Sequence, residues 1–450
     1  MDSKIALIFL NRHMEYYSTN RSTPQVTLKE AVVKGLAADN GLFMPDHINK
    51  FESSFFNHIQ NLTFQEIAFE VAKKFFGEDI EDAKLKEIVF DTLEFDCPVV
   101  KVTDSIYSLE LFHGPTLAFK DVGARFMARL LNYFLNDRKK LVNVLVATSG
   151  DTGSAVANGF LGVEGIHVFV LYPKGKVSKI QESQFTTLGK NITALEIDGA
   201  FDDCQHLVKT AFLDIELNEK LTLTSANSIN VARFLPQAFY YFNAFARLKE
   251  MGVLENKELV FSVPSGNLGN ITAGLFAREM GLPVAGFIAS NNANNVVFEY
   301  LETGNYQSRP SVETIANAMD VGAPSNFVRI LDLYNHSHKI ISEIITGYWY
   351  SNDKISEIVK KVYLENNYLC DPHGACGFEA LKENLKENQI GVFLETAHPA
   401  KFTETVEEIV GKGNVPMPRK LAAFMKGEKK SKSLSREYTV FRNYLMEEIK

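Results

Sequence analysis

Between residues 141 and 289 the chain repeats one pattern, and that pattern dictates the fold. Short, mostly apolar runs at residues 141–147, 167–172, 192–197, 221–224, 259–263 and 284–289, the first of them nearly continuous, alternate with polar loops and amphipathic stretches. A strand that is apolar on both faces is buried on both faces. Such strands belong to mainly parallel sheets covered by helices on each side. The spacing predicts a helix opening over residues 154–160, another through Phe185, and others over residues 204–212, 231–248 and 271–280. Ligands of such sheets sit beyond the carboxyl ends of the strands. The polar loops after the strands are therefore where chemistry is expected.

Four loops carry suitable residues. Ser149-Gly150-Asp151-Thr152 follows the strand at 141–147 and forms an amide-rich turn with an acid placed to cap a helix. Asn227, Ser228, Asn230 and Arg233 follow the strand at 221–224. A guanidinium with neutral donors beside it fits an anion such as phosphate. Ser265-Gly266-Asn267-Leu268-Gly269-Asn270 lies between a strand and a helix, where amides and the helix dipole form a phosphate cradle. It lacks the lysine of the nucleotide P-loop and is not a dinucleotide fingerprint. Thr396 ends a strand at residues 390–394. Lys176 and Ser178 read as a solvated loop, and His113 and His398 read equally well as structural histidines.

Residues 111–121 read Leu-Phe-His-Gly-Pro-Thr-Leu-Ala-Phe-Lys-Asp, just before a helical run to Leu135. Lys120 sits among apolar neighbours, which destabilise its ammonium and lower its pKa. A neutral amine can attack a carbonyl and form a Schiff base. Asp121 is placed to cap the helix that follows.

The H-G-P-T-L-A-F-K-D segment, the S-G-N-L-G-N loop and the run T-S-A-N-S-I-N-V-A-R resemble the threonine synthase family of fold-type-II pyridoxal 5'-phosphate (PLP) enzymes. The resemblance runs from about Tyr16 to about Val410 and weakens in the tail. It implies an α/β fold with mainly parallel twisted sheets in two α/β domains, plus a helical N-terminal domain. It implies that Lys120 holds PLP, that the loop from Ser265 to Asn270 holds its phosphate, and that Thr396 meets its ring nitrogen. Asp151 is then near the cofactor's phenolic oxygen, and Ser149, Gly150, Asp151 and Thr152 hold the substrate carboxylate. Asn227, Ser228, Asn230 and Arg233 are then contacts of the phosphate of O-phospho-L-homoserine. The implied reaction is β,γ-replacement: water adds, phosphate leaves and L-threonine forms. The alternatives are a PLP-dependent phospholyase or dehydratase of the same fold, or a non-catalytic PLP-binding paralogue.

The division expected is 1–100 for the helical domain, 101–410 for the catalytic region in two interleaved subdomains, and 411–450 for a tail packed on it. Within the first part, residues 28–36 and 64–76 show apolar residues at helical spacing. Residues 5–10 read as a strand, residues 340–350 and 355–365 as helices, and the lysine-rich stretch 426–433 as a solvated loop. A net charge of −8 from 47 basic and 55 acidic residues excludes a nucleic-acid-binding character. The apolar share of 46% suffices for a large core. No apolar run is long enough to span a membrane. The four cysteines form no disulfide framework, which points to the cytoplasm. Cys370, His373 and Cys376 match no zinc spacing, so no metal is expected. Resemblance to the longer members of the family implies a monomer.

Overall fold

The computed structural model describes residues 13–135 and 141–448, so the strand expected at residues 5–10 lies outside the described residues. Strands β1 (Tyr16–Ser18) and β2 (Phe43–Pro45) pair antiparallel near the start of the chain. Around them lie helices α1 (Leu28–Lys34), α2 (Phe64–Phe76) and α3 (Asp82–Thr92). Both α1 and α2 begin with a reciprocal cap. Thr27 and Thr63 accept from the amides of Glu30 and Glu66, whose carboxylates accept from the cap amides in return. Each such cap contributes about 1 kcal/mol.

The remaining strands are β3 (Val99–Lys101), β4 (Ile106–Glu110), β5 (Val142–Ala147), β6 (Ile166–Pro173), β7 (Ile192–Asp198), β8 (Thr222–Ser225), β9 (Glu258–Pro264), β10 (Gly286–Asn291), β11 (Ile345–Trp349), β12 (Gln389–Glu395) and β13 (Lys432–Ser435). They sort into two sheets of order β11-β10-β9-β12-β4-β3 and β13-β7-β6-β5-β8. Every pairing is parallel except β3 with β4. The chain leaves the first sheet after β4, builds most of the second, and returns at β9. Helix α4 (Lys120–Leu135) makes the crossing. Its buried residues Val122, Phe126, Leu130 and Phe134 recur at helical spacing, which is why this stretch packs as a helix.

Sheet order places the functional loops. Because β12 lies between β9 and β4, the ends of these strands bring residues 265–270, Thr396 and the lysine motif side by side. Because β5 pairs with β8, residues 149–152 and 227–233 are likewise neighbours.

Three elements differ from the sequence reading. The helix expected at 340–350 stops at Ile344, and Ile345–Trp349 becomes β11 on the open edge of β10. The β-branched and aromatic residues there gain backbone partners in the sheet that a helix end does not offer. The helix expected at 231–248 divides into α5 (Val231–Phe234), a 3₁₀ turn at Leu235–Gln237 and a helix at Ala238–Glu250. Pro236 lacks the amide that a continuous helix requires. The lysine-rich tail is not a free loop. Lys429 bridges Glu182 and Glu196 at 2.6 and 2.8 Å, and β13 extends the second sheet along β7. Lys420 donates to the carbonyls of His113 and Gly114 at 3.1 and 3.3 Å, tying the tail to the lysine motif.

Candidate active site

The lysine motif is laced to the end of β12. Ala118 bridges Ala397, the Phe119 amide donates to the Thr396 carbonyl at 2.8 Å, and the His398 amide donates to the Leu117 carbonyl at 3.1 Å. The Tyr240 hydroxyl donates to the Phe119 carbonyl. Leu117 adopts φ +57°, a conformation that costs a non-glycine residue about 1–2 kcal/mol. Asp121 does not cap the helix as expected. Its carboxylate accepts from the Thr116 amide at 2.9 Å and the Thr116 hydroxyl at 2.6 Å, closing the turn ahead of Lys120. The Lys120 pKa is lowered to about 8. Burial is the main cause, Asp151 opposes it, and the charges of Lys401 and Arg233 add to it. An amine in that range is still mostly protonated near neutral pH, but its neutral fraction of about a tenth far exceeds that of an ordinary lysine.

After β5, Gly150 turns at φ +146°, and a Cβ there would lie 2.6 Å from Gln181 Cδ, so only glycine fits. Thr148 Oγ1 accepts from the amides of Gly150 and Gly153 at 2.9 and 2.8 Å. The amides of Ser149, Asp151 and Thr152 donate to no protein acceptor among the described residues. Asp151 Oδ1 accepts from Lys401 Nζ at 2.6 Å and from Gln181 Nε2 at 2.9 Å. Burial alone would raise the Asp151 pKa, but Lys401 and Lys120 outweigh it and hold the carboxyl well below its usual range. Lys401 also donates to the Thr116 carbonyl at 2.9 Å and is fully buried. Sequence reasoning passed over Lys401. Its apolar neighbours Ala400 and Phe402 carried the same signal that singled out Lys120.

After β9, the amides from Gly266 to Asn270 donate to no protein acceptor among the described residues. They lead into helix α6 (Gly269–Glu279). Leu268 stands at φ +63°, turning the chain so that successive amides form a concave nest. A Cβ on Gly266 would lie 2.8 Å from the Ala318 carbonyl oxygen, which explains that glycine. Ser265 is occupied structurally: its hydroxyl donates to the Val263 carbonyl and its amide to that of Ser290. Asn270 uses its side-chain amide on the Pro264 carbonyl. Thr396 keeps a hydroxyl with no hydrogen-bond partner among the described residues.

After β8, Arg233 is almost fully buried. Its Nη1 donates to the Ala226 carbonyl, and its Nε is buried without a partner. The amides of Ser228 and Ile229 are free of protein acceptors among the described residues. Asn230 departs from the expectation of an anion contact. Its Nδ2 donates to the carbonyls of Val32 and Ser225 at 2.9 and 3.2 Å, and its Oδ1 accepts from the Ala232 amide at 3.0 Å. It caps α5 and anchors the loop to α1. Asn227, Ser228 and Asn267 share a cavity of about 470 Å³ with Thr19, Asn20 and Asn40 of the N-terminal region. None of those last three residues was singled out from the sequence; the β1–β2 pairing brings them to the cleft. Lys176 lies outside these contacts, and Ser178 caps the helix at Lys179–Thr186. His373 accepts from the Ala318 amide and meets Asp371, so it too is structural. No cluster able to hold a metal occurs among the described residues, and no described helix is long and apolar enough to cross a membrane.

A lysine with a lowered pKa and a separate amide-lined anion cradle are what PLP requires, one for its aldehyde and the other for its phosphate. The unpartnered amides from Gly266 to Asn270 fit such a group. The family model described as pyridoxal-phosphate dependent enzyme matches residues 99–395, so the class is that of PLP-dependent enzymes. Models described as threonine synthase N terminus and threonine synthase, C-terminal match residues 15–93 and 374–445. The threonine synthase of Serratia marcescens is 42% identical over 433 residues, covering 96% of this chain and 99% of that one. The crystal structure of threonine synthase from Escherichia coli matches at TM-score 0.90 and 40% identity, covering 97% of this chain and 100% of that one. The PLP-bound threonine synthase from Brucella melitensis matches at TM-score 0.90 and 33% identity, covering 97% and 100%. The chain belongs to the threonine synthase family of PLP-dependent lyases, enzymes of threonine biosynthesis, and PLP is its cofactor.

Proposed function

We propose that the chain converts O-phospho-L-homoserine and water to L-threonine and phosphate, with the two phosphate groups of the reaction held by different loops. The observation that carries this reading is the pair of separate unpartnered amide sets, after β9 and after β8, with Arg233 on the second. A resident phosphate needs only amides and a helix terminus. A leaving phosphate gains charge and calls for a guanidinium.

In this reading the amides from Gly266 to Asn270 hold the cofactor phosphate, Lys120 is the covalent attachment point, and the Thr396 hydroxyl meets the ring nitrogen. Ser265 and the Asn270 side chain shape the loop. When bound, PLP supplies the electron sink for carbanions at Cα and Cβ. The amides of Ser149, Asp151 and Thr152, with the Gly150 turn, orient the substrate carboxylate. Once free, Lys120 Nζ moves protons at Cα and then at Cβ, a role suited by a pKa of about 8. Asn227, Ser228 and Arg233 hold the phosphate, and Asn230 keeps their loop in place. The chain divides at about residues 100 and 410 into a helical part, the catalytic region and a tail. Its exposed apolar residues, such as Leu213, Trp349 and Leu364, lie on separate elements, in keeping with a monomer. Its four buried, unpaired cysteines suit the cytoplasm.

The direct test is to supply the holoenzyme with O-phospho-L-homoserine and identify the products. Threonine and phosphate in equal amounts are expected; 2-oxobutyrate as the main product would assign a lyase of another kind. Arg233→Ala is expected to keep PLP and its visible spectrum. Its kcat/KM should fall at least about tenfold, because a hydrogen bond to a charged group contributes about 1.5–3 kcal/mol. Folded but PLP-free Arg233→Ala protein would mean that the two phosphate sites are assigned the wrong way round.

A further inference from the structure

Arg329 lies on the short helix α7 (Phe327–Leu333), fully buried and without a carboxylate partner among the described residues. Its guanidinium stacks over the Phe234 ring at 4.0 Å. Nε and Nη2 donate to the Phe43 carbonyl at 3.3 and 3.0 Å, and Nη2 also donates to that of Ile229 at 2.6 Å. Nη1 donates to the Ser228 carbonyl at 3.1 Å and to Asn326 Oδ1 at 2.5 Å. Burial lowers the Arg329 pKa to about 9, which leaves it charged at neutral pH.

Two consequences follow for the cleft. With its Oδ1 engaged by Arg329, Asn326 presents Nδ2 to Ser228 Oγ at 3.1 Å and to the Asn267 carbonyl at 2.9 Å. A hydroxyl that accepts on that side keeps its hydrogen for another acceptor, and Ser228 lines the cavity. A trans peptide also points its carbonyl and the following amide in opposite directions. The Ser228 carbonyl faces Arg329, so the Ile229 amide is turned away from it. One buried cation thus fixes the loop after β8 and, through Asn326, joins it to the loop after β9.

We propose that Arg329 is a positioning residue for the substrate phosphate: through Asn326 it makes the Ser228 hydroxyl a donor, and through the Ser228 carbonyl it orients the Ile229 amide. Its charge, paired with no carboxylate among the described residues, also favours a dianion in the cleft. The inference rests on the assignment of residues 227–229 to that phosphate.

Asn326→Asp separates positioning from folding. The carboxylate keeps the side-chain volume and pairs with Arg329, but it accepts from the Ser228 hydroxyl and turns that hydrogen away from the cleft. Titration of the holoenzyme with inorganic phosphate should show a dissociation constant at least about tenfold higher. Affinity for L-homoserine, which lacks the phosphate, should stay within about twofold of wild type. The variant should stay folded and keep PLP, losing only the bond to the Asn267 carbonyl. Arg329→Lys, which keeps the charge but not the fork of donors, should show an intermediate loss. If Ser228→Ala weakens phosphate binding while Asn326→Asp and Arg329→Lys bind it as the wild type does, the inference is wrong and the site assignment stands. If the wild type does not bind phosphate in competition with O-phospho-L-homoserine, both fall.

Discussion

Lys120→Ala is expected to abolish covalent attachment of PLP and to lower kcat by at least about 10²–10⁴-fold, the range set by loss of a positioned proton-transfer group. The argument is local. Lys120 opens α4, and the preceding turn is fixed from three sides, by Thr396, Tyr240 and Asp121. Burial lowers its pKa to about 8. Borohydride treatment of the holoenzyme followed by peptide mapping should find the label on Lys120 alone. The same amine sets a pH dependence. Its neutral fraction rises with pH through about 8, so apoprotein should reload PLP faster as pH increases from about 7 to 9, then level off. A label on another lysine, or a reloading rate indifferent to pH across that window, would remove Lys120 from this role.

The parallel sheets were legible because two-sided burial leaves short, mostly apolar runs, and all six runs between residues 141 and 289 became strands. What escaped was set by contacts distant in sequence. β11 exists because β10 offers an open edge, and β13 exists because β7 does. The amide loops could be read from glycine and asparagine content, but not which side chains in them are free. Asn230 looked like an anion contact until α1 supplied the Val32 carbonyl, a partner 198 residues away. Arg329 gave no signal at all, because its partners Phe43, Ser228 and Ile229 lie in segments that only folding brings together. Lys401 was visible as a lysine among apolar residues, yet its meaning depends on Asp151, 250 positions earlier by the numbering of the pair.

That pair gives the second large effect. Lys401→Met is expected to destabilise the protein by about 3–5 kcal/mol at neutral pH, the cost of leaving one member of a buried ion pair without its partner. Lys401 and Asp151 meet at 2.6 Å and are nearly inaccessible to solvent. The sign of the pH dependence follows from Asp151. Its folded pKa lies below the unfolded value of about 4, so its favourable contribution is complete above pH 4 and is lost as pH falls through the folded value. Without Lys401, burial pushes the carboxyl upward, opposed mainly by Lys120 and the Gln181 amide. The variant's deficit relative to wild type should therefore be greatest near pH 7 and shrink as pH falls below about 4, where the acid takes up a proton. Asp151→Asn in the same chain should restore most of the loss, because a neutral amide can remain buried with Gln181 as its neighbour. Denaturant midpoints of the single and double variants at pH 7 and at about pH 3 decide the matter. A deficit equal at both pH values and untouched by Asp151→Asn would show that Lys401 stabilises the fold through packing, and that the charge on Asp151 is sustained by Lys120 instead.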